Sequence, residues 1–82
     1  MNLTKKKLID FINNGTEAKT KIKHNTPLFS NSMLDSIFLL DIVIFIEVQE
    51  KIKVENSHIS LKNFDTVDRI LAYIKNTRPE TN

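Results

Sequence analysis

The sequence predicts an all-α protein: an up-and-down four-helix bundle with a long loop between helices 1 and 2 and a short third helix. Three observations carry this expectation. Apolar residues recur near the helical period in two stretches, Leu8, Ile9, Phe11 and Ile12 early in the chain and Val67, Ile70, Leu71 and Ile74 late in it. Between them, Ile37 to Val48 is apolar apart from Asp41 and Glu47, a run longer than a usual strand. No hairpin turn signal lies beside that run. The 82 residues suffice for a single domain, 1–82, with a modest core, so ligand sites are expected as surface features or narrow clefts.

The first helix is expected over about residues 3–13, stopped by Asn14-Gly15. Residues 16–35 show little regular pattern beyond a strand-like flicker at Lys21-Ile22-Lys23. Connections of that length in small domains are functional or tightly tethered, and Leu28, Phe29, Met33 and Leu34 are the apolar tethers on offer. The second helix is expected over about 36–50, with Asp35 and Ser36 as cap chemistry at its start. Lys51 to Asn56 connects onward and should bury Ile52 and Val54. A short third helix, about 60–64, begins at Ser60 as cap, and a fourth, about 66–77, begins at Asp65 with Asp68 three residues on, close to a capping box. It should end before Pro79.

Composition narrows the function. Hydrophobic content of 40% and charged content of 27% belong to an ordinary globule and not to a disordered tail. With no cysteine, the chain has no disulfide, no thiolate metal site and no thiol nucleophile of its own. The basic start, Lys5-Lys6-Lys7, is followed by an apolar patch broken at Asp10, which is not the h-region of a signal peptide. The longest apolar run falls short of the roughly 20 residues that span a bilayer. A cytoplasmic monomer with no membrane attachment is the expectation. Net charge is only +2 but unevenly spread: six lysines (5, 6, 7, 19, 21, 23) lie before residue 25, whereas residues 33–50 hold Asp35, Asp41, Glu47 and Glu50 and no base.

Ser36 stands where loop chemistry gives way to the apolar run. Its hydroxyl suits a helix cap, worth about 1 kcal/mol, and it equally suits a solvent-facing residue that is modified. The residues around it leave both readings open. A hydrolase is disfavoured, because only His24 and His58 could serve as base and the glycine-flanked nucleophile elbow is absent. The two histidines and scattered acids show no metal-ligand spacing, and a single glycine, Gly15, excludes the usual phosphate loops. The early lysines carry few aromatics among them and no nucleic-acid motif, so a solvated helix face is the better reading. The 37–48 run is too apolar for a helix with one exposed face, so a docking patch is expected on the side the core does not use.

Pro27-Leu28-Phe29-Ser30, Leu34-Asp35-Ser36-Ile37 and the apolar helix with Glu47 together resemble the acyl carrier proteins and the related peptidyl carrier domains. The likeness continues through Ile52-Lys53-Val54, Ile59-Ser60-Leu61-Lys62-Asn63-Phe64, and Asp65-Thr66-Val67 leading to Ile70, Tyr73 and Ile74. It covers essentially the whole chain, the first helix being its least specific part.

The resemblance implies a non-catalytic carrier with 4′-phosphopantetheine attached covalently at Ser36 and an acyl or aminoacyl cargo held as a thioester. Asp35 would help present Ser36 to a phosphopantetheinyl transferase, that enzyme's Mg²⁺ being one route of contact; the carrier itself is implied to hold no metal. Asp41 and Glu47 match acidic positions that meet basic patches on partner enzymes, and Ile37, Leu40 and Ile44 match apolar contacts around the arm or the docked partner. Partners implied are a loading ligase and downstream synthases or transferases of a fatty-acid-like, polyketide or nonribosomal-peptide-type pathway.

There are departures. Met33 stands where glycine is frequent, Phe38 stands where an acid is frequent, and Val48 and Gln49 replace acids common in fatty-acid carriers. The pI of about 9.0 is also high for the family. These features imply a specialised carrier and not a housekeeping one. The competing reading is a small helical interaction module in which Ser36 is only a cap.

Overall fold

Thr4 starts the first helix, its Oγ1 accepting the Lys7 amide hydrogen at 3.1 Å, a cap directly ahead of α1, Lys5–Gly15. The computed structural model describes residues 3–15, 21–30 and 36–77, and for Ser36 the backbone alone. Among the described residues the secondary structure is entirely helical, with no strand. After α1 come α2, Ser36–Glu50, a single 3-10 turn at Asn56–His58, a one-turn helix α3, Leu61–Phe64, and α4, Val67–Thr77.

α1 as described ends at Gly15, at the expected Asn14-Gly15 stop, but not through a left-handed glycine. Gly15 is helical and has no positive φ. The left-handed residue is instead Lys51, φ 55°, directly after α2, the position that usually closes a helix with glycine. Gly15 is small for a different reason: a Cβ there would lie 2.5 Å from Cε1 of Phe38.

Two ends set the direction of α2 against α1. Gly15, closing α1, faces Phe38 in the first turn of α2, and the Leu3 amide donates to Glu50 Oε2 at the far end. The helices therefore run antiparallel. Their contact carries a row of stacked rings, Phe11 on Phe45 with centroids 4.1 Å apart and Phe11 beside Phe38 at 5.9 Å.

The core takes Leu8 and Ile12 from α1, Ile42, Val43 and Ile46 from α2, and Val67, Ile70, Tyr73 and Ile74 from α4. Phe64 of α3 and Val54 of the α2–α3 connection complete it. The α4 pattern follows the period that predicts it: one face is buried, and Asp68, Arg69 and Lys75 face out.

Residues 21–30 are held by side chains and not by strand pairing, which corrects the strand-like reading of Lys21-Ile22-Lys23. Ile22 is buried, and its amide donates to Asn13 Oδ1 at 2.9 Å. Leu28 is fully buried and Phe29 packs against the core; the other two expected tethers, Met33 and Leu34, lie outside the described residues.

Asp65 ties the same segment to the α3–α4 corner. Its Oδ1 accepts the amides of Phe29 and Ser30, each at 2.9 Å, and its Oδ2 accepts the Ser30 hydroxyl at 2.7 Å. Asp65 is thus not the cap of the fourth helix. Thr66 is, its Oγ1 accepting the Arg69 amide at 3.0 Å. Ser60 holds the extended backbone of a cap ahead of α3, but its side chain makes no capping bond.

Candidate functional site

α2 is the element whose chemistry exceeds what the core needs. Ten of its fifteen residues are apolar and spread around the whole circumference. The core can use one side only. At 100° per residue, Ile42, Val43 and Ile46 fall on the inner side, and Ile37, Leu40, Ile44 and Val48 fall together on the outer side. Those four are 72, 55, 58 and 67% exposed. The four form a contiguous aliphatic stripe that the core leaves uncovered.

Ser36 heads that stripe. Among the described residues it is the first of α2. The first turn of α2 contains no acid. Asp35 lies outside the described residues, as does the Ser36 side chain.

The acidic residues of α2 divide into two uses. Asp41 is exposed on the flank of the stripe. Glu47 is half-buried, and its Oε2 accepts the Val54 amide at 2.8 Å, holding the α2–α3 connection against the helix. Glu50 accepts the Leu3 amide. The carboxylate best presented to a visitor is therefore Asp41.

Beside the stripe an open groove of about 520 Å³ runs between α1 and α2, lined by Phe11, Gly15, Phe38, Asp41, Ile44, Phe45 and Val48. Sequence reasoning missed both the groove and Val48. The signals present were Phe38 and Phe45 seven residues apart on α2, facing Phe11 and Gly15 four apart on α1.

Elsewhere the titratable groups serve the scaffold. Burial pushes Asp65 upward, but the Ser30 and Phe29 amides and the Ser30 hydroxyl outweigh it and hold the carboxyl below the usual range. His24 Nδ1 lies 2.6 Å from Asp68 Oδ2, and that hydrogen bond, opposed by partial desolvation and helped by the charges of His24 and Lys5, lowers Asp68. His58 Nδ1 sits 2.9 Å from the Tyr73 hydroxyl. Both histidines thus face other partners in the scaffold. Among the described residues no cluster of His, Asp and Glu could hold a metal ion, and no helix is long and apolar enough to cross a membrane.

No protein-family model matches the chain, and neither a curated protein nor a solved structure shows significant similarity to it.

Proposed function

We propose that the chain is a carrier protein, an up-and-down four-helix bundle that holds an acyl or aminoacyl cargo on 4′-phosphopantetheine joined to Ser36. The observation that carries this reading is the position of Ser36, the first residue of a helix whose outward face is a stripe of four aliphatic side chains with no core role. A group joined through a phosphate fits that position. The first amides of a helix lack intrahelical partners and favour an anion. The arm supplies a thiol on which cargo is held as a thioester, and the chain has no cysteine to compete with it.

The protein's own residues then do two things. Ile37, Leu40 and Ile44 offer apolar area that a partner can cover, each worth on the order of 1 kcal/mol when buried from about half exposure. Asp41 supplies the charge that steers a basic partner and speeds encounter, with Glu47 secondary because it is also tied to Val54. Asp35 presents Ser36 to the phosphopantetheinyl transferase. The further partners are a loading ligase and the synthases or transferases that take the cargo on. In this reading the protein works in the cytoplasm, as a monomer, in a specialised pathway, with no catalytic group of its own.

The test is intact mass. Wild-type protein incubated with coenzyme A and a broad-specificity transferase is expected to gain one phosphopantetheine, and Ser36→Ala none. Equal labelling of the variant, or no labelling of wild type, overturns the reading. The exposed stripe also suits a module that binds a partner helix without modification, and an unlabelled wild type is the outcome which that alternative requires.

A further inference from the structure

The groove between α1 and α2 has an unusual lining for its size. Its volume, about 520 Å³, is in the range of small-molecule sites. Three phenyl rings, Phe11, Phe38 and Phe45, and two aliphatic side chains, Ile44 and Val48, supply its apolar surface. Among the described residues, Asp41 is the one charged residue on it.

No base competes for that carboxylate from its own helix, since residues 33–50 contain no lysine or arginine. The neighbouring groove on the far side of the Phe11–Phe45 stack differs. It is lined by Lys7 and Asp10 together with Gln49, charges of both signs, and Asp10 is already paired to Lys6 at 2.7 Å. Charge of a single sign therefore belongs to the Asp41 groove.

We infer that the Asp41 groove is a subsite for an apolar group bearing a protonated amine, and that the cargo on Ser36 is accordingly aminoacyl and not plain acyl; the second half rests on the carrier reading above. Aromatic walls and a carboxylate together attract an ammonium group, the rings through their quadrupole and the acid through its charge. A plain acyl chain would fill the same volume and leave Asp41 without a counter-charge. Pairing with a second copy through the same face is disfavoured, because a two-fold contact repeats each residue and sets the two Asp41 side chains near each other. Asp41 lies five residues beyond Ser36, about 7.5 Å along the helix axis and about 140° around it, so an arm on Ser36 reaches the groove by crossing over α2.

The experiment is a titration of ¹⁵N-labelled protein with phenethylamine, phenylacetate and ethylbenzene, followed at the amides of Phe11, Gly15, Phe38, Phe45 and Val48. Phenethylamine should give saturating shifts at these positions, at least fivefold weaker in Asp41→Asn, with phenylacetate and ethylbenzene weaker by a similar factor. Asp41 is exposed, so the variant should keep the wild-type spectrum elsewhere.

Absence of saturation, equal binding by Asp41→Asn, or equal response to the uncharged or anionic analogue overturns the inference. So do shifts that follow protein concentration alone, which would place a second copy in the groove. In protein whose mass shows a loaded arm, a phenylalanyl group should shift the same amides and a 3-phenylpropionyl group should shift them less; equal shifts overturn the cargo assignment. Loading is read by mass and the groove by free probes, so failure of the carrier reading and failure of the subsite are separate results.

Discussion

α2 and α4 are both rich in apolar residues, yet they use them in opposite ways. In α4, Val67, Ile70, Tyr73 and Ile74 are all buried, and the opposite face is polar. In α2, Ile42, Val43 and Ile46 are buried, while Ile37, Leu40, Ile44 and Val48 remain more than half exposed. The two helices contain the same kinds of side chain. What differs is whether the core has room for them. Apolar content in α4 is spent on the core, whereas in α2 it is spent on the core on one side and left in water on the other.

Truncating the buried members gives the largest effect. Ile46→Ala on α2 and Ile70→Ala on α4 should each lower unfolding free energy by about 2–5 kcal/mol in urea titrations, because both side chains are fully buried. A loss below about 1 kcal/mol for Ile46→Ala would mean that α2 contributes little to the core and would erase the contrast between its two sides.

Removing the Asp65 tie comes next. Asp65→Ala leaves the Phe29 and Ser30 amides without their acceptor and should cost about 2 kcal/mol. The same tie sets a pH dependence. The folded carboxyl is held below its ordinary value, so its contribution is fully present above the unfolded value of ~3.9 and is lost as pH falls through the folded one. Denaturation midpoints measured between pH 6 and pH 2.5 should fall less steeply for Asp65→Asn than for wild type, and parallel curves would assign the acid sensitivity to other carboxylates.

The smallest effect on stability belongs to the outer stripe. Ile44→Ser should change unfolding free energy by no more than about 0.5 kcal/mol, since the side chain is mostly in water already. In the carrier reading the same substitution should slow modification by the transferase several-fold at limiting enzyme. Unchanged rates for both Ile37→Ser and Ile44→Ser would leave the stripe without a role in that encounter.

Much of the scaffold is legible in the sequence because it depends on short-range spacing. α4 follows from one strict period, and the helical choice for α2 follows from the length of the run and the residues that precede it. The misreadings share a cause: each depends on a partner distant in the chain. The sequence offers Asp65 as the cap, and the amides of Phe29 and Ser30, some 35 residues away, take its carboxylate and leave the cap to Thr66. Gly15 reads as a left-handed stop, and only the Phe38 ring against it shows another reason for its size. Periodicity also cannot say which side of an all-round apolar helix is left uncovered. Ile37, Leu40 and Ile44 enter as candidates through resemblance, and the absence of a core on their side is a property of packing.

The contact between Gly15 and Phe38 makes two positions 23 residues apart behave as one unit of shape. The carbon that position 15 lacks is the space that the position 38 ring occupies, its nearest atom 2.5 Å from where Cβ would stand. A larger side chain at 15 displaces the Phe38 ring, and pairing it with a smaller residue at 38 would move the groove wall from α2 to α1 while leaving Asp41 in place. The pair is therefore a natural handle for redesign, able to reshape what the groove admits without altering its charge.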